Sequence, residues 1–186
     1  MFVGSAQFIL AAIVAEALDT GYKFSQPMNW LGGGPAAALF NSSLFLLGLF
    51  IIVSAYLILR AFKGVQPKFS NWLFWFLLTM TGIGAAGISI FSENFGTAHV
   101  IAVRTFWVFA VPAAIMSYKF QKKPFAYVSV VLGVLILAAA VIFLSPVNDL
   151  GLGRGGMQRM IQYPILLWLL GFGANLAGDS SREDNK

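Results

Sequence analysis

Residues 125–144 read FAYVSVVLGVLILAAAVIFL, twenty consecutive positions without a charged side chain. At about 1.5 Å of helix per residue, such a run covers the roughly 30 Å of a bilayer's hydrocarbon core. Working outward along the chain, comparable apolar runs fall at 2–18, 36–62, 72–91, 98–118 and 160–177. Six runs predict an all-α fold, a six-helix transmembrane bundle of up-and-down order with short loops. One domain occupies 1–177, and 178–186 reads as a short polar cytoplasmic tail, uncapped and frayed. The runs stop at loop signals: Asp19-Thr20-Gly21, Lys63-Gly64 with Pro67, residues 92–96, Lys122-Lys123-Pro124, and Ser145-Pro146.

Composition points the same way, with 59% hydrophobic and only 10% charged residues against about 25% charged in soluble domains. The net charge of +5 does not imply nucleic acid, because the basic residues sit at the ends of apolar runs rather than in a basic stripe. Absence of cysteine excludes disulfides and thiolate metal sites, and a single histidine excludes a multi-histidine zinc site. No cofactor or metal is expected, and the partners expected are membrane lipids, further copies of the chain or other membrane subunits.

Charge also orients the bundle. Arg60, Lys63, Lys68, Lys119, Lys122, Lys123, Arg182 and Lys186 collect on one side, while Lys23, Arg154 and Arg159 lie in the opposite loops. Eight against three places the first side, with both termini, in the cytoplasm of a cell-membrane protein. A cleaved leader ending at Ala15-Glu16-Ala17 is the competing reading of the first run. It is set aside because no Lys or Arg precedes the run and Glu16 fits a cleavage motif badly.

Polar side chains inside spans are costly, by at least about 2.5 kcal/mol for a central Arg, and each one needs a reason. Here they belong to the outer half: Glu16, Asn41, Glu93, His99, Arg104, Arg159 and Tyr163. Arg104, about 10 Å from its helix start, is expected to find an acid, with Glu16 and Glu93 as candidates. A bond from Glu93 to His99 is expected to tie the third and fourth helices. The inner half, far more apolar, reads as a plug.

The helices that start on the outer side each follow glycine, and the last is led by Gly151-Leu152-Gly153-Arg154-Gly155-Gly156. A helix N-terminus carries unpaired N–H groups and about half a positive charge, so Gly153, Gly155 and Gly156 with Arg154 and Arg159 form a candidate anion site. The structural alternative is that these glycines only make tight helix starts.

Asn29-Trp30-Leu31-Gly32, Ala38-Leu39-Phe40-Asn41-Ser42-Ser43, Glu93-Asn94-Phe95-Gly96-Thr97-Ala98-His99 and Gly156-Met157-Gln158-Arg159-Met160 with Tyr163-Pro164 resemble the prokaryotic multi-pass membrane family catalogued as domain of unknown function 998. The resemblance implies a six-helix membrane fold without an established activity, and it places Asn41, Glu93, His99 and Arg159 in the family's pattern. Where the family often has Glu before this arginine, Gln158 stands here, which removes an ionised Glu from any mechanism.

Three functions follow as expectations. First is binding or transport of an anionic or lipid-headgroup ligand in an outward pocket lined by Asn41, Glu93, His99, Arg104, Arg154 and Arg159, supported by Glu16 and Tyr163. Second is an accessory role in a membrane complex. Third is lipid processing with Glu93 and His99 as acid and base, disfavoured because no nucleophile motif or metal-ligand cluster accompanies them.

Overall fold

The structure, a computed structural model, describes residues 1–145 and 150–183, with side chains described as far as residue 178. Pro146, Lys186 and the side chain of Arg182, all used in reading the sequence, lie outside the described residues. Among the described residues there are six α-helices: α1 (Phe2–Leu18), α2 (Ala37–Ala61), α3 (Lys68–Ile90), α4 (Thr97–Met116), α5 (Phe125–Leu144) and α6 (Gly153–Glu183). Five of them, α2 to α6, are long and apolar enough to cross a membrane, while α1 is the short apolar helix. Its 17 residues reach about 25 Å, still within the range of spanning helices. The chain is a multi-pass membrane protein.

Contacts fix the helix order. Met1 N donates to Ser54 Oγ at 2.8 Å and Gln7 Nε2 to the Ser43 carbonyl at 2.8 Å, so α2 runs antiparallel to α1, while Asn71 Nδ2, at the start of α3, donates at 3.0 Å to the Leu59 carbonyl at the end of α2. Trp107 meets Phe143 edge-on across α4 and α5. Gly171 of α6 lies against Phe125 of α5, and Gly173 against Phe2 of α1, which closes the ring between last helix and first. Each helix starts where its predecessor ends, giving an upper face where α2, α4 and α6 begin and a lower face where they finish.

Lipid offers no hydrophobic drive between helices, so close approach of small residues matters more than in water. A Cβ on Gly48 would stand 2.6 Å from the Gly82 carbonyl, and one on Gly84 would strike the Phe106 backbone. In the lower half the centre is filled by aromatic rings. Phe74 stacks on Phe120 at 4.3 Å and meets Phe172 edge-on at 5.6 Å, and Trp168 is fully buried beside Phe172.

Two helix ranges differ from the apolar runs. Helix α3 begins at Lys68, directly after Pro67, because a polar first turn is still helix when proline precedes it. Helix α6 begins at Gly153 and continues to Glu183. Glycine and arginine at 153–159 therefore belong to its first two turns, and the backbone of 178–183 is helical where a frayed tail was expected.

Candidate functional site

Residues 19–36, between α1 and α2, form a cap over the upper face, and its centre is a 3-10 turn at Met28–Gly32. Met28, Asn29 and Leu31 are buried beneath it. A loop at this depth must satisfy its backbone, and Asn41 and Arg159, both expected to bind a ligand, supply part of what it needs.

Arg159 is the main pin. Only 2% exposed, it donates from Nη1 to the carbonyls of Phe24 (2.9 Å) and Gln26 (3.4 Å). Its Nη2 donates to Glu16 Oε1 (2.5 Å) and to the Tyr22 hydroxyl (2.6 Å). Its guanidinium also lies 4.3 Å from the Phe24 ring centre, a cation–π contact strengthened by burial. The Tyr22 hydroxyl in turn donates to the Gln26 carbonyl at 3.0 Å. Burial pushes the Tyr22 hydroxyl above its usual range, and Arg159 beside it pulls part of the way back.

Gln158, next to it, accepts the Met28 amide at 2.8 Å while almost fully buried. The contact needs only an acceptor, so a neutral amide serves without the desolvation cost of a carboxylate. The glycines before it work at the same seam. The Gly155 amide donates to the Ser25 carbonyl at 2.9 Å, and a Cβ on Gly155 would overlap the Gln26 carbonyl. At Gly153, with φ +68, Ser25 stands where a side chain would have to go, and Gly156 packs on Leu152. The start of α6 is thus filled by the chain's own cap rather than open to an anion.

His99 is buried and does not meet Glu93. Its Nδ1 lies 2.7 Å from the Phe91 carbonyl, which can only accept, so Nδ1 holds the proton. Nε2 then accepts from the Asn29 amide at 3.1 Å. Asn41 donates to the Gly32 carbonyl at 2.9 Å. Both residues fasten the 3-10 turn. Glu93, exposed, faces elsewhere, so the acid–base pair expected of a lipid-processing site is not assembled.

Arg104 and Arg154 are exposed, and among the described residues neither side chain takes part in an ion pair or hydrogen bond. Of the two acids expected for Arg104, Glu16 pairs with Arg159 instead, and Glu93 reaches neither arginine. Among the described residues no group of metal-ligating side chains is gathered.

Two concavities remain at this face. One, of about 590 Å³, is lined by Asp19, Tyr22, Gln26, Trp30, Gly33, Glu93 and Asn94 among others. Its charge is carried by two carboxylates from separate segments, with no Lys or Arg in its lining, and the Trp30 ring is 45% exposed. Asp19 was legible only as a helix stop, and nothing in its spacing or that of Trp30 to Glu93 announces the groove. The other, an apolar crevice of about 350 Å³ between α1 and α6, has Phe8, Ala12, Met28 and Leu166 for walls and Glu16 and Tyr163 as its polar members.

Residues 2–175 match the family model described as "Protein of unknown function (DUF998)". No curated protein and no solved structure matches the chain.

Proposed function

The chain belongs to this family, whose description carries no activity, and from that premise we propose that it is a non-catalytic binding protein for an ammonium-bearing headgroup or small organic cation at its upper face. The observation that carries this reading is the groove in which Asp19 and Glu93 flank Trp30 and Tyr22. Two carboxylates and aromatic faces are the chemistry that recognises an amine or quaternary ammonium. The sign replaces the anion expected from the glycine-led helix starts, because the arginine nearest the cap is spent on Glu16, Tyr22 and backbone carbonyls. By the charge bias of the loops, this groove opens to the exterior.

Native mass spectrometry of the full chain in mild detergent, titrated with phosphatidylethanolamine, tests the reading. Asp19→Asn with Glu93→Gln is expected to weaken retention about tenfold, the loss of one to two charge-assisted contacts. Unchanged retention in the double variant removes it.

An accessory role in a membrane complex is the second reading, supported by Arg104. It stands exposed on α4 among the exposed apolar residues Val100, Ile101 and Val108, a setting that favours a counter-charge from outside the chain. Mild extraction should then recover a second polypeptide with the wild-type chain and lose it with Arg104→Leu. Recovery of the same lone chain in both cases rejects this role.

A further inference from the structure

We propose that the elbow between α2 and α3, on the lower face, is a docking site for one anionic phospholipid whose headgroup carries a hydroxyl donor. The elbow holds a groove of about 810 Å³, with Leu59, Phe69 and Trp72 as apolar wall and Arg60, Lys63 and Lys68 as basic rim. No carboxylate lines it, and residues 60–72 contain neither Asp nor Glu. The three cations therefore face an uncompensated site.

Helix α3 adds to this field. Its first turn begins at Lys68, and the first intrahelical bond of the series runs from the Asn71 amide to the Pro67 carbonyl at 3.0 Å. The amides of Lys68, Phe69 and Ser70 therefore precede any intrahelical acceptor, and the positive end of the helix dipole lies at the groove. Both features favour a phosphate.

A separate observation defines the rest of the headgroup. Asn71 lines the groove and is only 6% exposed. Its Nδ2 donates to the Leu59 carbonyl, which fixes the amide's orientation and leaves Oδ1 as a buried acceptor without a partner. A buried acceptor of this kind calls for a donor, and a phosphate diester has none to offer. The donor has to be a hydroxyl beside the phosphate, since an ammonium group there would be repelled by Arg60, Lys63 and Lys68.

The apolar surroundings select a lipid over free phosphate. Phe69 and Trp72 are exposed flanking the rim, and Trp72 stacks on Phe76 to extend the apolar wall along α3. Acyl chains of a lipid seated by its phosphate would lie along this wall, in hydrocarbon they already occupy.

The test uses the full chain in mild detergent, with phosphatidylglycerol, phosphatidylmethanol and phosphatidylcholine of identical acyl chains read by native mass spectrometry. Phosphatidylglycerol should bind about tenfold more tightly than phosphatidylcholine, and Arg60→Gln with Lys63→Gln should erase that preference. Phosphatidylmethanol keeps the charge and lacks the donor, so it should bind about threefold more weakly than phosphatidylglycerol. Inorganic phosphate in large excess should not displace the lipid. Equal binding of the glycerol and choline lipids, or a preference that survives the double variant, overturns the site. Equal binding of the glycerol and methanol lipids overturns the donor assignment, and displacement by phosphate overturns the lipid as its source. Arg60 and Lys63 lie outside the upper groove, so the double variant leaves phosphatidylethanolamine retention there as an independent readout.

Discussion

Arg159, in the second turn of α6, forms an ion pair with Glu16, in the last turn of α1, and the pair joins the first and last helices where the cap crosses them. The two partners are unequal, since Arg159 is almost wholly buried and Glu16 is 30% exposed. Removing the acid strands a buried cation, whereas removing the cation leaves an acid that can still reach solvent.

Glu16→Ala is therefore expected to destabilise the fold by about 2–3 kcal/mol, below the 3–5 kcal/mol of a fully buried pair. Glu16→Gln, which keeps an acceptor, should cost about half as much. Arg104→Leu, on an exposed face, should stay within about 0.5 kcal/mol. Thermal unfolding at fixed detergent concentration measures all three, and equal midpoints for Glu16→Ala and wild type would show that the pair does not hold the cap.

His99 is predicted to carry its proton on Nδ1, because the Phe91 carbonyl at 2.7 Å demands a donor. Nitrogen chemical shifts of selectively labelled histidine report the tautomer directly, and an Nε2–H form contradicts the geometry. His99→Leu leaves the Asn29 amide and the Phe91 carbonyl unmatched and is expected to cost about 1–3 kcal/mol, without altering retention of phosphatidylethanolamine.

Tyr22 titrates above its usual value because burial opposes the phenolate. The folded chain then keeps a proton that the unfolded chain releases, so this contribution is fully present below pH 10.0 and is lost as pH rises from there through the folded value. Unfolding measured from pH 8 upward should show the decline in the wild type and a smaller one in Tyr22→Phe. A decline that begins well below the usual tyrosine range contradicts the assignment to this residue.

Gly84→Ala and Gly155→Ala each drive a methyl into backbone, of α4 and of the cap respectively, and should cost about 1–3 kcal/mol. Gly178→Ala, with nothing within 4 Å of the added methyl, should instead raise helix stability by up to about 1 kcal/mol. The contrast separates packing from propensity in one set of melting curves.

Helices were legible because bilayer thickness sets a length that apolar runs must reach, and 2–18 and 125–144 coincide with α1 and α5. The start of α6 was not, since Gly153 to Arg159 looks like a loop until the cap packs on it. The partners of the polar residues were not readable. Arg159, His99 and Asn41 bond to the carbonyls of Phe24, Gln26, Phe91 and Gly32, and a carbonyl has no signature in sequence. Neither has a vacancy such as the Asp19–Trp30–Glu93 groove, which arises only when three separate segments meet.

The cap also sets an order of events. The cap, residues 19–36, is made well before the side chains that lock it, since Gln158 and Arg159 lie 130 and 135 positions beyond their partners Met28 and Phe24. Domains emerge N-terminus first, so the cap stays unlatched until α6 follows it, and a chain that stops short of α6 would leave Glu16 bare.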